Sequence, residues 1–414
     1  MVGPIRSPID GDGYGRATRT SERAKLTAVI DIRVPDEAEW AQLVRTDGRS
    51  FGASYSAEEV ERQRSTMDLG RFRVAVEDGC VVGGAGSYEF DMTLPGGAAV
   101  PTGGVTWVSV EVTHRRQGLL RRLMDATHAD IDGREEPLAA LTASEGGIYE
   151  RFGYGIATRA RVALVDRLNA RLRPDFVPST GTTRVVDPLA ELDSIKRIWD
   201  RFRILRAGEV TRSEAFWRSF VADAGEYAVH VLHADGYACW KTDQVWNDGH
   251  PAGTLVIHAM APVTPEAHVA LWHTVLSSDL VATVRSNKLV LDDPLPYLLT
   301  NQRVVRTTAL NDGVWCNVRD VVGCFGARTY GTDDDVVVEV EGARWRIGGD
   351  GTRKVRTRPD VTLDRAALGS LLLGGVAPTS LVRGRRAEAR SAEALRRADA
   401  LFVLNPMPSC QTGF

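Results

Sequence analysis

The segment from Val105 to Arg122 constrains the fold of this chain more than any other part of it. A strand rich in β-branched residues runs into a short basic turn, and an amphipathic helix starts at once. The first turn of such a helix exposes unpaired N–H groups and a partial positive charge, which favour a bound phosphate. Gly118 lets the backbone approach a ligand closely, and Arg115, Arg116 and Arg121 can add charge-assisted hydrogen bonds. An ordinary strand–turn–helix connection with solvated arginines fits the same pattern.

Helical and alternating hydrophobic patterns follow each other along the whole chain, which is typical of a mixed α/β protein. The 414 residues are too many for a single hydrophobic core. We predict a disordered tail over residues 1–26, followed by three domains over residues 27–162, 163–306 and 307–414.

Composition narrows the classes of partner. A net charge of −3 without any block of like charges argues against nucleic acid. No apolar run reaches the length of a membrane span. The five cysteines are odd in number and widely spaced, which argues against a disulfide framework and against a zinc site. We therefore expect a cytoplasmic protein with no metal, no nucleic-acid partner and no membrane span.

Two motifs carry a resemblance to a known family. Val108-x-Val110 followed by Arg115-x-x-Gly118 resembles the signature of the GNAT acetyltransferases, with Leu120 where that signature usually has a small residue. The block over residues 141–155, with its paired glycines and Tyr-x-x-Phe-Gly-Tyr, is similar to the enhanced intracellular survival (Eis) branch of that superfamily. The likeness covers nearly all of the chain after the tail. It implies an α/β (α+β) protein with two tandem GNAT folds and a C-terminal domain like sterol carrier protein 2.

The same resemblance implies a donor site for acetyl-coenzyme A. The backbone of Val108 and Val110 would pair with the pantetheine arm, and the amides from Arg116 to Arg121 would surround the pyrophosphate. The donor-site residues implied are Val108, Ser109, Val110, Arg115, Arg116, Gln117, Gly118, Leu119, Leu120, Arg121 and Ser144.

Acetylation of an amine also requires an acid and a base. An alkylammonium has a pKa near 10, so it must lose a proton before it attacks, and the departing thiolate leaves more easily when protonated. By resemblance, Tyr149 is the general acid, and the general base is the terminal carboxylate of Phe414. Tyr149 also fits a structural tyrosine whose hydroxyl bonds to the backbone, and the C-terminus also fits a merely docked end.

Other residues suggest an acceptor pocket and a second, altered copy of the donor site. Trp40, Phe51, Trp107 and Glu111 are candidates to line a pocket for a cation, although each also fits packing. In a weak internal alignment Arg115 falls on Glu266, and Gly118 falls on Val269. We therefore predict that the second domain binds no coenzyme A.

Together these features predict an N-acetyltransferase that transfers acetyl groups from acetyl-coenzyme A to small-molecule amines or to lysines of proteins. The resemblance suggests aminoglycoside-like polyamines as acceptors and a homohexameric assembly. Two alternatives stay open: an acyltransferase for longer chains, and a non-enzymatic carrier of lipids that uses the C-terminal domain.

Overall fold

The computed structural model describes residues 30–178 and 181–414. The tail predicted over residues 1–26 lies outside the described residues. No helix in the described ranges is long and apolar enough to cross a membrane.

The first domain is a mixed sheet with helices packed on its faces. Its helices begin where the sequence supplies caps: Asp36 and Ser56 each accept a hydrogen bond from the backbone N–H three residues later, completed as a capping box by Glu39 and Glu59. Its elements are β1 (Asp31–Arg33), α1 (Glu37–Phe51), α2 (Ala57–Ser65), β2 (Phe72–Glu77), β3 (Cys80–Thr93), β4 (Ala99–Val110), α3 (Leu119–Gly133), β5 (Leu138–Thr142) and β6 (Gly155–Ile156).

The second domain repeats this architecture around its own apolar core, which includes the fully buried Trp272 and Leu271. Its elements are β7 (Arg159–Asp166), β8 (Thr183–Val185), α4 (Leu192–Arg203), α5 (Glu214–Ala224), β9 (Val229–His233), β10 (Gly236–Asp243), β11 (Trp246–Asn247), β12 (His250–Pro251), β13 (Gly253–Pro262), α6 (Pro265–Leu276), β14 (Val281–Leu289), α7 (Leu295–Leu298) and β15 (Val305–Asp312). The strand order of its sheet is β15-β7-β14-β13-β10-β9-β8.

The last part of the chain forms a five-stranded sheet, in the order β19-β18-β17-β20-β21, covered by short helices. Its apolar interior is filled by side chains such as Val338, Leu368 and Phe402, all 1% exposed or less. The elements from residue 314 onward are β16 (Val314–Val318), α8 (Val321–Ala327), β17 (Asp335–Val340), β18 (Ala343–Gly348), β19 (Arg353–Lys354), β20 (Val361–Leu363), α9 (Arg365–Leu371), α10 (Pro378–Arg383), β21 (Ala387–Ala389) and α11 (Ala392–Phe402).

The predicted boundary between residues 306 and 307 needs correction. It falls inside β15, which pairs with β7 at the edge of the second sheet. The next strand, β16, pairs with both β5 and β6, so the first sheet has the order β1-β2-β3-β4-β5-β16-β6. All five residues of β16 are buried. Such a strand needs neighbours on both edges, and the interior of the first sheet provides them.

Candidate active site

The fourth strand of the first sheet is distorted where the donor motif begins. Its pairing with β3 shifts between Gly84 and Gly86, so that Trp107 and Val108 together stand opposite one residue. Trp107 has a φ of 53°, in the left-handed region. Such a β-bulge bends a strand and re-aims its side chains.

On its other edge β4 separates from β5. Their parallel pairing runs from Thr102 opposite Leu138 only to Gly104 opposite Ala140. Beyond that point the backbone over residues 105–110 has no partner from β5. An extended ligand can add to such an edge like a further strand.

The helix that follows is open at its N-terminus. Gly118 is the residue before the first turn of α3, has a φ of 80°, and provides no side-chain cap. Apart from the two neighbours of Gly118 in the chain, no atom of the described residues lies within 4 Å of the position that a Cβ at Gly118 would take. The first turn of α3 contains no acidic residue. Its N–H groups therefore face open space and suit a diphosphate.

The basic residues of the turn are arranged around this opening. Arg115 donates from Nε to the carbonyl oxygen of Val110 at 3.1 Å, which anchors it at the end of β4. The guanidinium of Arg121 lies 5.7 Å from the centre of the Phe152 ring. Arg116 is exposed. Two cations thus have defined places beside the open helix end, and a third remains free to approach a phosphate.

These features line one groove of about 410 Å³. The predicted donor residues in its lining are Val108, Ser109, Val110, Arg115, Arg116, Gly118, Leu119, Leu120, Arg121 and Ser144. Gln117 is the exception, because its side-chain amide donates to the carbonyl oxygen of Thr113 at 3.1 Å and lies outside this lining. The open strand edge, the uncapped helix and the basic rim together fit a pantetheine diphosphate.

Tyr149 lies at the inner end of the groove and is only 6% exposed. Its ring meets Tyr154 edge-on, with 6.1 Å between the ring centres. Burial, assisted by the charge of Glu145, raises the pKa of Tyr149 above its usual value, so the hydroxyl stays protonated at neutral pH. The Tyr149 hydroxyl makes no hydrogen bond to a backbone atom within the described ranges, as a purely structural tyrosine would be expected to do.

A cavity of about 290 Å³ joins this tyrosine to the end of the chain. Its lining includes Tyr149, Ser144, Trp107, Thr142 and Phe414. The hydroxyl of Thr142 donates to a terminal carboxylate oxygen of Phe414 at 2.5 Å.

The ring of Phe414 is held on its other side by Phe90, with 5.0 Å between the ring centres. A Cβ at Gly104 would come within 2.5 Å of Phe90 and 3.3 Å of the Phe414 ring, so only glycine leaves room for this pair. The fold therefore brings Tyr149 of the first domain and Phe414 at the C-terminus, the residues predicted as acid and base, to one cavity.

A third cavity, of about 410 Å³, opens beside Phe51 and Trp107, two of the residues proposed from the sequence for an acceptor pocket. Its most unusual member is Asp47, in the last part of α1 and 5% exposed. One oxygen of this carboxylate is buried without a hydrogen-bond partner in the described ranges, and the other accepts a bond of 3.4 Å from the Tyr55 hydroxyl. Burial raises the pKa of Asp47 to about 6.

Sequence reasoning missed Asp47, which lies within α1, a helix that continues to Phe51. Asp223 also lines this cavity, but its carboxylate already pairs with Arg62 at 2.7 Å. A single acidic residue without a cationic partner would have to be found by structure, since no sequence motif marks it.

Two predicted pocket residues are corrected. The side chain of Trp40 is buried behind the pocket: its indole N–H donates to the Val60 carbonyl oxygen at 3.2 Å, and its ring lies 5.3 Å from that of Trp107. Glu111 follows the end of β4 and pairs with Arg49 at 3.0 Å. Neither residue lines any of the three cavities. Trp40 packs behind Trp107 in the core, and Glu111 lies beyond the end of β4.

The second domain has the corresponding strand–helix connection, but its helix end is closed. The hydroxyl of Thr264 accepts a hydrogen bond from the backbone N–H of Ala267 at 3.1 Å, and Pro265 and Glu266 occupy the first turn. A side-chain cap, a residue without an N–H and an acid all disfavour a phosphate.

Comparison with known proteins agrees with this architecture. Residues 31–157 and 208–319 each match a family model described as an acetyltransferase (GNAT) domain, and residues 322–411 match a sterol carrier protein domain. The chain is 33% identical to the N-acetyltransferase Eis of Mycobacterium tuberculosis over 399 residues, which cover 90% of this chain and 97% of that protein. The chain belongs to the Eis family of N-acetyltransferases.

Further relatives span the same length. An uncharacterized N-acetyltransferase of Streptomyces avermitilis is 34% identical over 93% of this chain and 99% of its own. The crystal structure of Eis1 from Mycobacterium abscessus superposes with a TM-score of 0.84 at 34% identity, covering 93% of this chain and all of that one. The predicted fold class, family and enzyme class of this Eis-family chain are thereby confirmed. GNAT acetyltransferases take the acetyl group from acetyl-coenzyme A.

Proposed function

We propose that this Eis-family enzyme acetylates primary amines of bulky polycations, either aminoglycoside-like polyamines or lysine side chains. The observation that carries the proposal is the buried carboxylate of Asp47 in the cavity beside Trp107, one oxygen of which has no hydrogen-bond partner among the described residues. A buried carboxylate without a partner is costly, and an ammonium group is the ligand that compensates it best. Trp107 also lines the cavity that contains Tyr149 and Phe414, so a bound amine lies next to both.

The donor would lie in the groove between β4 and α3. When bound, acetyl-coenzyme A supplies the acetyl group as a thioester. The free edge of β4 at Val108 pairs with the extended arm, and the first turn of α3 with Arg116 and Arg121 holds the phosphates.

The terminal carboxylate of Phe414 is the proposed base. It takes a proton from the acceptor ammonium, directly or through one water. The hydroxyl of Thr142 donates to one oxygen of this carboxylate and holds it in place. The neutral amine attacks the carbonyl carbon, a C–N bond forms and the C–S bond breaks. Tyr149 gives its hydroxyl proton to the departing sulfur, and the second proton that the nitrogen loses as the amide forms restores this hydroxyl, directly or through solvent. The raised pKa of Tyr149 keeps this proton available over the neutral range.

A panel of amines assayed with acetyl-coenzyme A by thiol release tests the activity. We expect turnover to increase from monoamines to polyamines, because a polyamine can place one ammonium group against Asp47 while another amine attacks the acetyl group. Equal turnover of neutral nucleophiles and polyamines would reject the proposed acceptor class.

The role of the terminal carboxylate has its own test. Adding one glycine after Phe414 displaces the carboxylate by about 3.8 Å and should lower kcat by roughly 100-fold or more, the usual contribution of a general base. Phe414→Leu is the matched control, because it keeps the carboxylate in place and should retain most of the kcat. Full activity of the extended enzyme would contradict the assignment.

We also propose a homohexameric, cytoplasmic enzyme. Large side chains on the surface of the second domain support an interface between copies, among them Tyr227 (79% exposed) and Tyr297 (68% exposed). Sedimentation velocity measures the assembly directly, and a monomer at micromolar concentration would reject it.

A further inference from the structure

The last residues of the chain are fastened by a buried carboxylate from another domain. Glu209 precedes α5 and is fully buried. Its Oε1 accepts hydrogen bonds from the backbone N–H of Gln411 at 3.0 Å and from the Ser409 hydroxyl at 3.2 Å. Its Oε2 lies 3.1 Å from the same Gln411 nitrogen. One side chain thus accepts from two of the last six residues.

Glu209 itself is fixed to the first domain. Its carbonyl oxygen accepts a hydrogen bond of 2.8 Å from the N–H of Thr93, at the end of β3. That strand also contains Phe90, which packs against the ring of Phe414. Glu209 therefore links the sheet that bears the active site to the segment that ends in Phe414.

Neighbouring contacts hold the same segment, which we name the terminal segment (residues 409–414). Arg212 donates from Nε to the Thr412 hydroxyl at 2.9 Å, and Lys288 donates to the carbonyl oxygen of Gln411 at 3.1 Å. The side-chain amide of Gln411 pairs with the N–H and carbonyl of Met260, at 2.9 and 2.6 Å. Only Gly413 separates Thr412, the last of these fastened residues, from Phe414, so their position constrains that of the terminal carboxylate.

Stability alone does not explain a glutamate at this position. Burial raises the pKa of Glu209 to about 7, although the Gln411 N–H and the charges of Arg212 and Lys288 act in the opposite direction. A buried carboxylate of this kind is less favourable for folding than an apolar residue of similar volume. What an apolar side chain lacks is an acceptor for the Gln411 N–H and the Ser409 hydroxyl.

We propose that Glu209 is a positioning residue that holds the terminal segment in register and thereby sets the place of the Phe414 carboxylate. The inference rests on the proposed role of that carboxylate as the base. Both groups that donate hydrogen bonds to Glu209 are neutral, so a neutral acceptor of the same shape can replace it in these two bonds.

Two substitutions separate this role from a general effect on folding. Glu209→Ala removes both acceptor oxygens, whereas Glu209→Gln keeps one amide oxygen and loses the charge. We expect Glu209→Ala to lower kcat at least tenfold with an unchanged KM for acetyl-coenzyme A, and Glu209→Gln to stay within about threefold of wild type. Thermal unfolding of both variants reports on their folding.

A second readout does not depend on activity. Carboxypeptidase A releases a C-terminal phenylalanine only from an accessible chain end, so the rate of Phe414 release measures how firmly the terminal segment is held. Release should be at least tenfold faster from Glu209→Ala than from wild type and from Glu209→Gln. Equal release from all three proteins would overturn the inference. Faster release with an unchanged kcat would instead refute the proposed role of the Phe414 carboxylate.

Discussion

Replacing Asp47 by asparagine should weaken the enzyme and stabilise the fold at the same time. The side chain keeps its shape and can still accept from Tyr55, but it loses the negative charge. A charge-assisted hydrogen bond contributes about 1.5–3 kcal/mol, so kcat/KM for a polyamine should fall by roughly 10- to 150-fold. The KM for acetyl-coenzyme A should not change, because Asp47 lies outside the donor groove.

The stability effect follows from the raised pKa of Asp47. Its value of about 6, against 3.8 for a free aspartate, means that the folded state binds this proton more tightly than the unfolded state. Wild-type stability therefore falls as the pH rises from 4 to 6, by about 3 kcal/mol in total for this group. Asparagine does not titrate, so the free energy of unfolding of the variant does not fall with pH through this side chain.

Thermal unfolding between pH 4.5 and pH 8 measures the change in stability, and thiol release with a polyamine measures the change in kcat/KM. The midpoint of Asp47→Asn should rise relative to wild type as the pH increases. Asp223→Asn is the matched control: it lines the same cavity but is already paired with Arg62, so we expect less than about a threefold change in kcat/KM. An Asp47→Asn enzyme with wild-type acceptor kinetics and a lowered midpoint at pH 8 would refute the reasoning.

Two further predictions concern the donor. Gly118→Ala places a Cβ beside the open end of α3 and strains a backbone φ of 80°. In steady-state kinetics, the KM for acetyl-coenzyme A should therefore rise at least tenfold, with little change in the KM for the acceptor. Because Thr264 and Glu266 close the corresponding helix of the second domain, titration calorimetry should give one coenzyme A per chain, and a stoichiometry of two would contradict that domain's loss of function.

The local parts of the site could be predicted from the sequence, and the non-local parts could not. The donor turn around Gly118 is one continuous segment whose chemistry depends on a strand, a glycine and a helix start, so it is readable residue by residue. Tyr149 and Phe414 were placed through the family resemblance, and the structure brings them to one cavity, although their catalytic roles stay predictions. Trp40 and Glu111 were misplaced because the sequence pattern does not tell whether a side chain faces the pocket or the core behind it, nor where along the strand the pocket ends.

Asp47 and Glu209 escaped prediction for a different reason. Each is significant because of a contact that it makes, or lacks, with residues far away in the chain. Glu209 meets Gln411 across about 200 positions, and nothing near it in sequence signals that partner. The insertion of β16 into the first sheet is of the same kind, since strand patterns predict that a segment pairs but not with which neighbour.

That insertion has a consequence for how the protein is made. The first sheet lacks an interior strand until residue 318 has left the ribosome, because β16 lies between β5 and β6. The N-terminal domain is therefore expected to finish folding only late in synthesis, unlike domains that close as soon as they emerge. Long-range closure of this type also slows folding. A truncated transcript that encodes only residues 1–157 would yield a chain with one edge of β5 open and β6 unpaired, a natural substrate for proteolysis rather than a small working transferase.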